Sequence, residues 1–119
     1  MHVSRISELP KEPFGSKIFT SEDVTKQAIV PESTEYDINV VNFAKGVRLK
    51  FHSHSQEQIL IVTAGKGIVA TEDEQIEVVP GDVIFFPAGE KHWHGATPDS
   101  EFSHIFIYRR GTKYQQLED

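Results

Sequence analysis

The chain has 119 residues, with 12 Lys+Arg against 18 Asp+Glu and a formal net charge of −6. That length suits one compact domain with an adequate core, and that charge argues against a nucleic-acid partner, whose binding rests on clustered Lys and Arg. The absence of cysteine excludes disulfides, iron–sulfur clusters and thiol catalysis, and makes a reducing compartment, the cytoplasm, the expected home.

Along the chain, Met1-His2-Val3-Ser4-Arg5 carries no apolar stretch of the secretory type. The first 15 residues are polar and weakly patterned, so an arm that is loose or packs on a neighbour is expected there. Residues 21–26 can form one short helical turn. Residues 37–51 read as mostly extended, broken at Ala44-Lys45-Gly46. A β-branched and aliphatic run at 59–63 ends in Ala64-Gly65-Lys66-Gly67. Segments 68–71 and 76–79 flank the polar stretch Glu72-Asp73-Glu74-Gln75, the pattern of a hairpin with an acidic tip. Pro80-Gly81-Asp82 is a tight turn, 83–86 the next strand, Pro87-Ala88-Gly89-Glu90 the next turn, and 101–109 the last clear strand. The tail after Gly111 is again weakly patterned, and a tail that is loose or packs on a neighbour is expected.

No segment holds a 3.6-residue period long enough for a long helix, and frequent short strands with Gly/Pro punctuation predict an all-β antiparallel sandwich or barrel. The longest uninterrupted aliphatic or aromatic runs, 59–62 and 83–86, have four residues each, against roughly 20 for a membrane span. No membrane partner is expected. A single domain over 1–119 follows, with its barrel core at about 36–110.

Five of the six histidines are His52, His54, His92, His94 and His104. His52 and His54 are two apart, which on a strand turns both imidazoles to one face and makes them natural metal ligands. A lone strand histidine is more often a hydrogen-bonded packing residue. Two facing each other in a core are hard to satisfy without a metal. Gln58 keeps the parity of His54, whereas the rival ligand Glu57 would need a bulge to turn inward. His92 follows a sharp Pro-x-Gly turn that can return a side chain to the same place. His94 shares its parity, and His104 shares parity with Phe102, Phe106 and Tyr108. Phe86 and Phe106 can line an aromatic pocket, and Trp93 can face outward.

Gly46-x5-His52-x-His54-x3-Gln58-x6-Gly65 resembles the first motif of the cupin superfamily, with Gln in the place usual for Glu. Gly81-x5-Pro87-x-Gly89-x2-His92 resembles the second, with Ala96 where an Asn is usual. The resemblance implies an antiparallel jelly-roll β-barrel holding one divalent transition metal, here on His52, His54, Gln58 and His92. Within the superfamily the block Gly89-Glu90-Lys91-His92-Trp93-His94-Gly95-Ala96, with Pro80-Gly81-Asp82-Val83 before it and His104 after it, is similar to the cupin-type hydroxynitrile lyases and to carboxymuconolactone decarboxylase-associated cupins. That likeness implies manganese foremost, with zinc, iron, nickel or copper as other occupants. It implies a small-molecule substrate of carbonyl or hydroxy type, His104 as the acid–base residue and His94 as its support. Tyr108 stands where those lyases have Gln, and Asn39 where they have a small apolar residue.

A Gln ligand leaves a divalent site one unit more positive than a Glu ligand would. This favours Lewis-acid chemistry over redox chemistry. The alternatives are a cupin dioxygenase and a non-catalytic small-molecule-binding cupin with a structural metal. The resemblance also implies a homodimer or tetramer, and the outward apolar set Ile59, Ile61, Ile105 and Ile107 can cover such a contact.

Overall fold

The computed structural model of the chain describes residues 1–119. Its regular structure is nearly all strand: β1 (Glu12–Pro13), β2 (Val24–Ala28), β3 (Tyr36–Phe43), β4 (His52–His54), β5 (Gln58–Gly65), β6 (Gly67–Thr71), β7 (Gln75–Val78), β8 (Val83–Phe86), β9 (His92–Ala96), β10 (Phe102–Arg109) and β11 (Tyr114–Gln116). The one other element is a 3-10 turn, Ile6–Glu8. No helix is long and apolar enough to cross a membrane.

The strands form two antiparallel sheets, ordered β1-β2-β3-β10-β5-β8 and β11-β4-β9-β6-β7. They face each other as the jelly-roll barrel that the motifs imply. The register explains the inward set. On β10, Phe102, His104 and Phe106 point inward opposite Phe43, Val41 and Asn39 of β3, while on β5 the inward residues are Gln58, Leu60 and Val62. Between Ser103 and His104 the β10–β5 register slips by one, a bulge that skips Thr63 and keeps alternation in phase on both sides. Apolar residues close the core: Phe102 is 1% and Leu60 0% exposed. Gly67 is required here, because a Cβ would lie 2.4 Å from the Phe102 ring. Of the six largest fully buried side chains, however, three are His52, His92 and His104, so the interior is given over partly to imidazole.

Three expectations need correction. Residues 21–26 do not form a helical turn. Ser21 and Asp23 make a local side-chain turn, and β2 then pairs with β3 from Val24 onward. Val24 and Gln27 are both buried but face opposite sides of the strand, Val24 beside the core residue Phe43 and Gln27 on the outer face beneath the N-terminal arm. The first 15 residues are not loose, because β1 pairs with β2 and the buried Gln27 amide donates to the Ile6 and Leu9 carbonyls. The tail is likewise tied down as β11 on β4, so the barrel extends beyond 36–110 at both ends. Backbone ladders and single polar anchors hold these segments, and neither leaves a hydrophobic period in the sequence.

Candidate metal centre

Strands β4 and β9 carry the histidines and pair at one register position, His52 opposite His92. Alternation puts His54 beside His52, and the Pro87-Ala88-Gly89 turn brings in His92. Gly89 adopts φ 82° and donates its N–H to the His54 carbonyl at 2.9 Å, so the turn that delivers the third imidazole is fastened to the strand carrying the other two. The Phe86 ring stacks on His92 with centroids 3.8 Å apart and fixes its plane.

One ring nitrogen from each of His52, His54 and His92 lies within 4.8 Å of the others, a group that could hold a metal ion. The tautomers suit that role. His52 Nδ1–H donates to the Lys50 carbonyl at 2.6 Å and His92 Nδ1–H to the Glu90 carbonyl at 2.8 Å, leaving each Nε2 with a free lone pair. Gln58 is buried and lines the same cavity, with its Oε1 unpartnered. The side-chain nitrogens and oxygens that are buried without a partner all belong to His52, His54, Gln58, His92, His94 and His104. Buried polar atoms are normally satisfied, so this one cluster concentrates the molecule's unmet hydrogen-bonding capacity. The donor set fits a divalent transition metal.

Burial is the largest cause lowering every one of these imidazoles from the ordinary 6.5. His54 falls to about 3, with the facing His52 and His92 adding to the effect. His92 and His104 each fall to about 4. His52 is also lowered, and His94 lies well below its usual range. All five are therefore neutral near pH 7, the form that binds a metal or accepts a proton.

His94 and His104 form a second pair, ring centroids 4.8 Å apart, on the inner side of the triad. A cavity of about 100 Å³ reaches His52, His54, Gln58, His94 and His104. A water needs about 10–15 Å³ by the same measure, so there is room for a small organic molecule. No Lys, Arg, Asp or Glu lines it.

Of the other residues singled out, Glu57 is exposed on an outer groove beside Arg109 and does not turn inward. Asn39 donates to Asp37 at 2.7 Å and does not line the cavity, whereas Tyr108 does, its ring 5.7 Å from that of His54. Burial pushes the Tyr108 phenol up to about 12, with Asp37 contributing. Phe106 lines the cavity, while Phe86 lies behind His92. Trp93 is half-buried under the Arg48 guanidinium, 4.8 Å from its ring. Sequence reasoning missed Phe14, Ser16, Ile18 and Tyr114 at the cavity. They sit in the terminal segments, and only the docking of those segments reveals them.

Residues 39–108 match the sequence family described as Cupin domain. The chain is 46% identical over 71 residues to an (R)-mandelonitrile lyase from Granulicella tundricola, covering 59% of this chain and 54% of that protein. It is 31% identical over 115 residues to auxin-binding protein T85 from Nicotiana tabacum, covering 88% of this chain and 61% of that protein. The chain thus spans a little over half the length of both curated relatives. A crystal structure of a cupin-like protein from Thermotoga maritima superposes with a TM-score of 0.85 at 32% identity, over 98% of this chain and 90% of that one.

Proposed function

The chain belongs to the cupin family, and from that premise we propose that it is a divalent-metal-dependent enzyme acting on a small carbonyl or hydroxy compound, in the manner of a hydroxynitrile lyase. The observation that carries this reading is the gathering of every unpartnered buried polar side-chain atom into one cluster around a cavity free of charged residues. His52, His54 and His92, with Gln58 as a neutral fourth donor, are the proposed metal ligands, and manganese is the proposed ion. Such an ion would supply Lewis acidity toward a substrate oxygen, undiminished by any carboxylate in the cavity wall.

The remaining work falls to this chain's own side chains. His104, neutral and buried, takes the proton of the substrate hydroxyl. For a cyanohydrin, the O–H electron pair then forms the carbonyl as the carbon–carbon bond to the nitrile breaks and its pair leaves on cyanide. The proton held at His104, or passed to the adjacent His94, protonates the cyanide, so the products are an aldehyde and hydrogen cyanide. Phe14, Phe19 and Phe106 give the cavity aromatic walls suited to an aryl substituent. The likeness to the (R)-mandelonitrile lyase supports this substrate class.

The test is benzaldehyde release from mandelonitrile with Mn(II). Turnover above that of free Mn(II), lost in His104→Ala, supports the reading; turnover equal to the free ion contradicts it. A non-catalytic binding role is the second reading, favoured by the likeness to the auxin-binding protein over most of this chain. It expects ligand binding without turnover. A cytoplasmic location and a homodimer built on the outer face of the six-stranded sheet belong to the same proposal.

A further inference from the structure

Strand β4 carries two of the three clustered imidazoles yet has only three residues. Its ladder to β9, which carries the third, consists of the single pair His52–His92. Its other neighbour is β11, equally short, with Tyr114 opposite His54 and Gln116 opposite His52. Further backbone bonds join the flanks, from Leu49 N–H to the His94 carbonyl, from Ala96 N–H to the Val47 carbonyl and from Gly89 N–H to the His54 carbonyl, each at 2.9 Å, but none of these holds Phe51, the residue next to His52.

A polar network on the outside of the barrel supplies what the ladder lacks. Glu118 Oε1 accepts the Phe51 N–H at 2.8 Å and Arg48 Nη1–H at 3.1 Å, while Oε2 accepts Arg48 Nη2–H at 2.8 Å. Phe51 immediately precedes His52, and its carbonyl accepts the Leu117 N–H at 2.8 Å. The other face of the network is Trp93, which lies between His92 and His94 and carries the Arg48 guanidinium over its ring. Close approach is possible because residue 95 is glycine: a Cβ there would lie 2.3 Å from Arg48 Cα and 2.6 Å from the Val47 carbonyl oxygen. Arg48 and Gly95 are bridged directly.

We propose that Glu118, Arg48 and Trp93 form a clasp that sets the spacing of β4 against β9, with Glu118 a positioning residue for His52 and His54. The inference rests on the reading of those histidines as metal ligands. The Arg48–Glu118 side chains are 27% and 36% exposed, so solvent screens the charge and the forked geometry matters more than the ion pair. Groups hydrogen-bonded directly to metal-ligating side chains typically change metal affinity by about 10- to 100-fold when removed; Glu118 stands one step further out, on the Phe51 N–H beside His52, so its effect is expected at the low end of that range.

The experiment titrates chelator-stripped full-length protein with zinc by calorimetry and records the visible spectrum of the cobalt-loaded form. Glu118→Ala should bind zinc about tenfold more weakly and shift the cobalt spectrum, because the ligand geometry relaxes. Glu118→Gln, which keeps an acceptor for Phe51, should lose less. Glu72→Gln makes the same charge change in the exposed Lys91–Glu72 pair, 3.8 Å apart, and should change neither readout. Wild-type affinity and spectrum in Glu118→Ala would overturn the clasp alone, even with a lowered melting temperature. A wild-type protein that binds no zinc would overturn the ligand reading and the clasp together.

Discussion

Gln58 and Glu57 show how parity decides chemistry at a single residue. The inward turn of one and the outward turn of the other follow from strand alternation, and they leave the cavity without a carboxylate. The buried imidazoles carry a linked consequence for stability. In the unfolded chain they titrate near the ordinary 6.5, whereas in the fold His92 and His104 take up protons only near pH 4 and His54 near pH 3. Between those limits the unfolded state binds more protons, so stability is fully present above about pH 6.5 and is lost as pH falls. The melting temperature of metal-free protein is expected to hold steady from pH 8 to 7 and to drop progressively from pH 6.5 to 4.5. A flat calorimetric profile across that range would contradict neutral burial. Strand alternation, a local rule, makes the His52–His54 pair legible, whereas the set of His52, His54, Gln58 and His92 is read from the resemblance to the cupin motifs. The cavity contacts of Tyr114 and Ser16, and the diversion of Asn39 onto Asp37, depend on packing that no local rule encodes.

At the scale of elements, the central strands are announced by β-branched runs between glycines and prolines, as in β5, β8 and the β6–β7 hairpin with its acidic tip. The peripheral strands are not. β1, β2 and β11 gain their order from neighbours, and β1 and β11 consist of two and three residues. Gln27 illustrates the cause: a buried amide on the outer face of β2 holds the arm through two carbonyls, each at 3.0 Å. Gln27→Ala should release that arm, costing about 1–3 kcal/mol through unsatisfied carbonyls and lost packing. Limited proteolysis is expected to cut within residues 1–11 faster in the variant, with zinc affinity unchanged. Equal cleavage rates would show that the arm is held by something else.

For the whole molecule, the two faces of the six-stranded sheet differ. The inner face packs the core and presents Gln58 and His104, while the outer face presents Ile59, Ile61, Ile105 and Ile107 in register with Val83 and Phe85 of β8. Val83 is 65% and Phe85 52% exposed, and β8 is the sheet edge, with no charge or proline in its four residues. Unprotected apolar edges of this kind invite pairing with another chain. The homodimer proposed on this face should appear by light scattering at micromolar concentration and dissociate in Phe85→Lys, whereas a monomeric wild type would contradict it. The proposed metal centre is tested most directly by the metal content of untagged protein, measured by elemental analysis beside His52→Ala and Gln58→Ala. Close to one divalent ion per chain is expected in the wild type, with a marked loss in His52→Ala and a partial loss in Gln58→Ala. A wild type without metal, or a His52→Ala variant that retains the full complement, would contradict that centre.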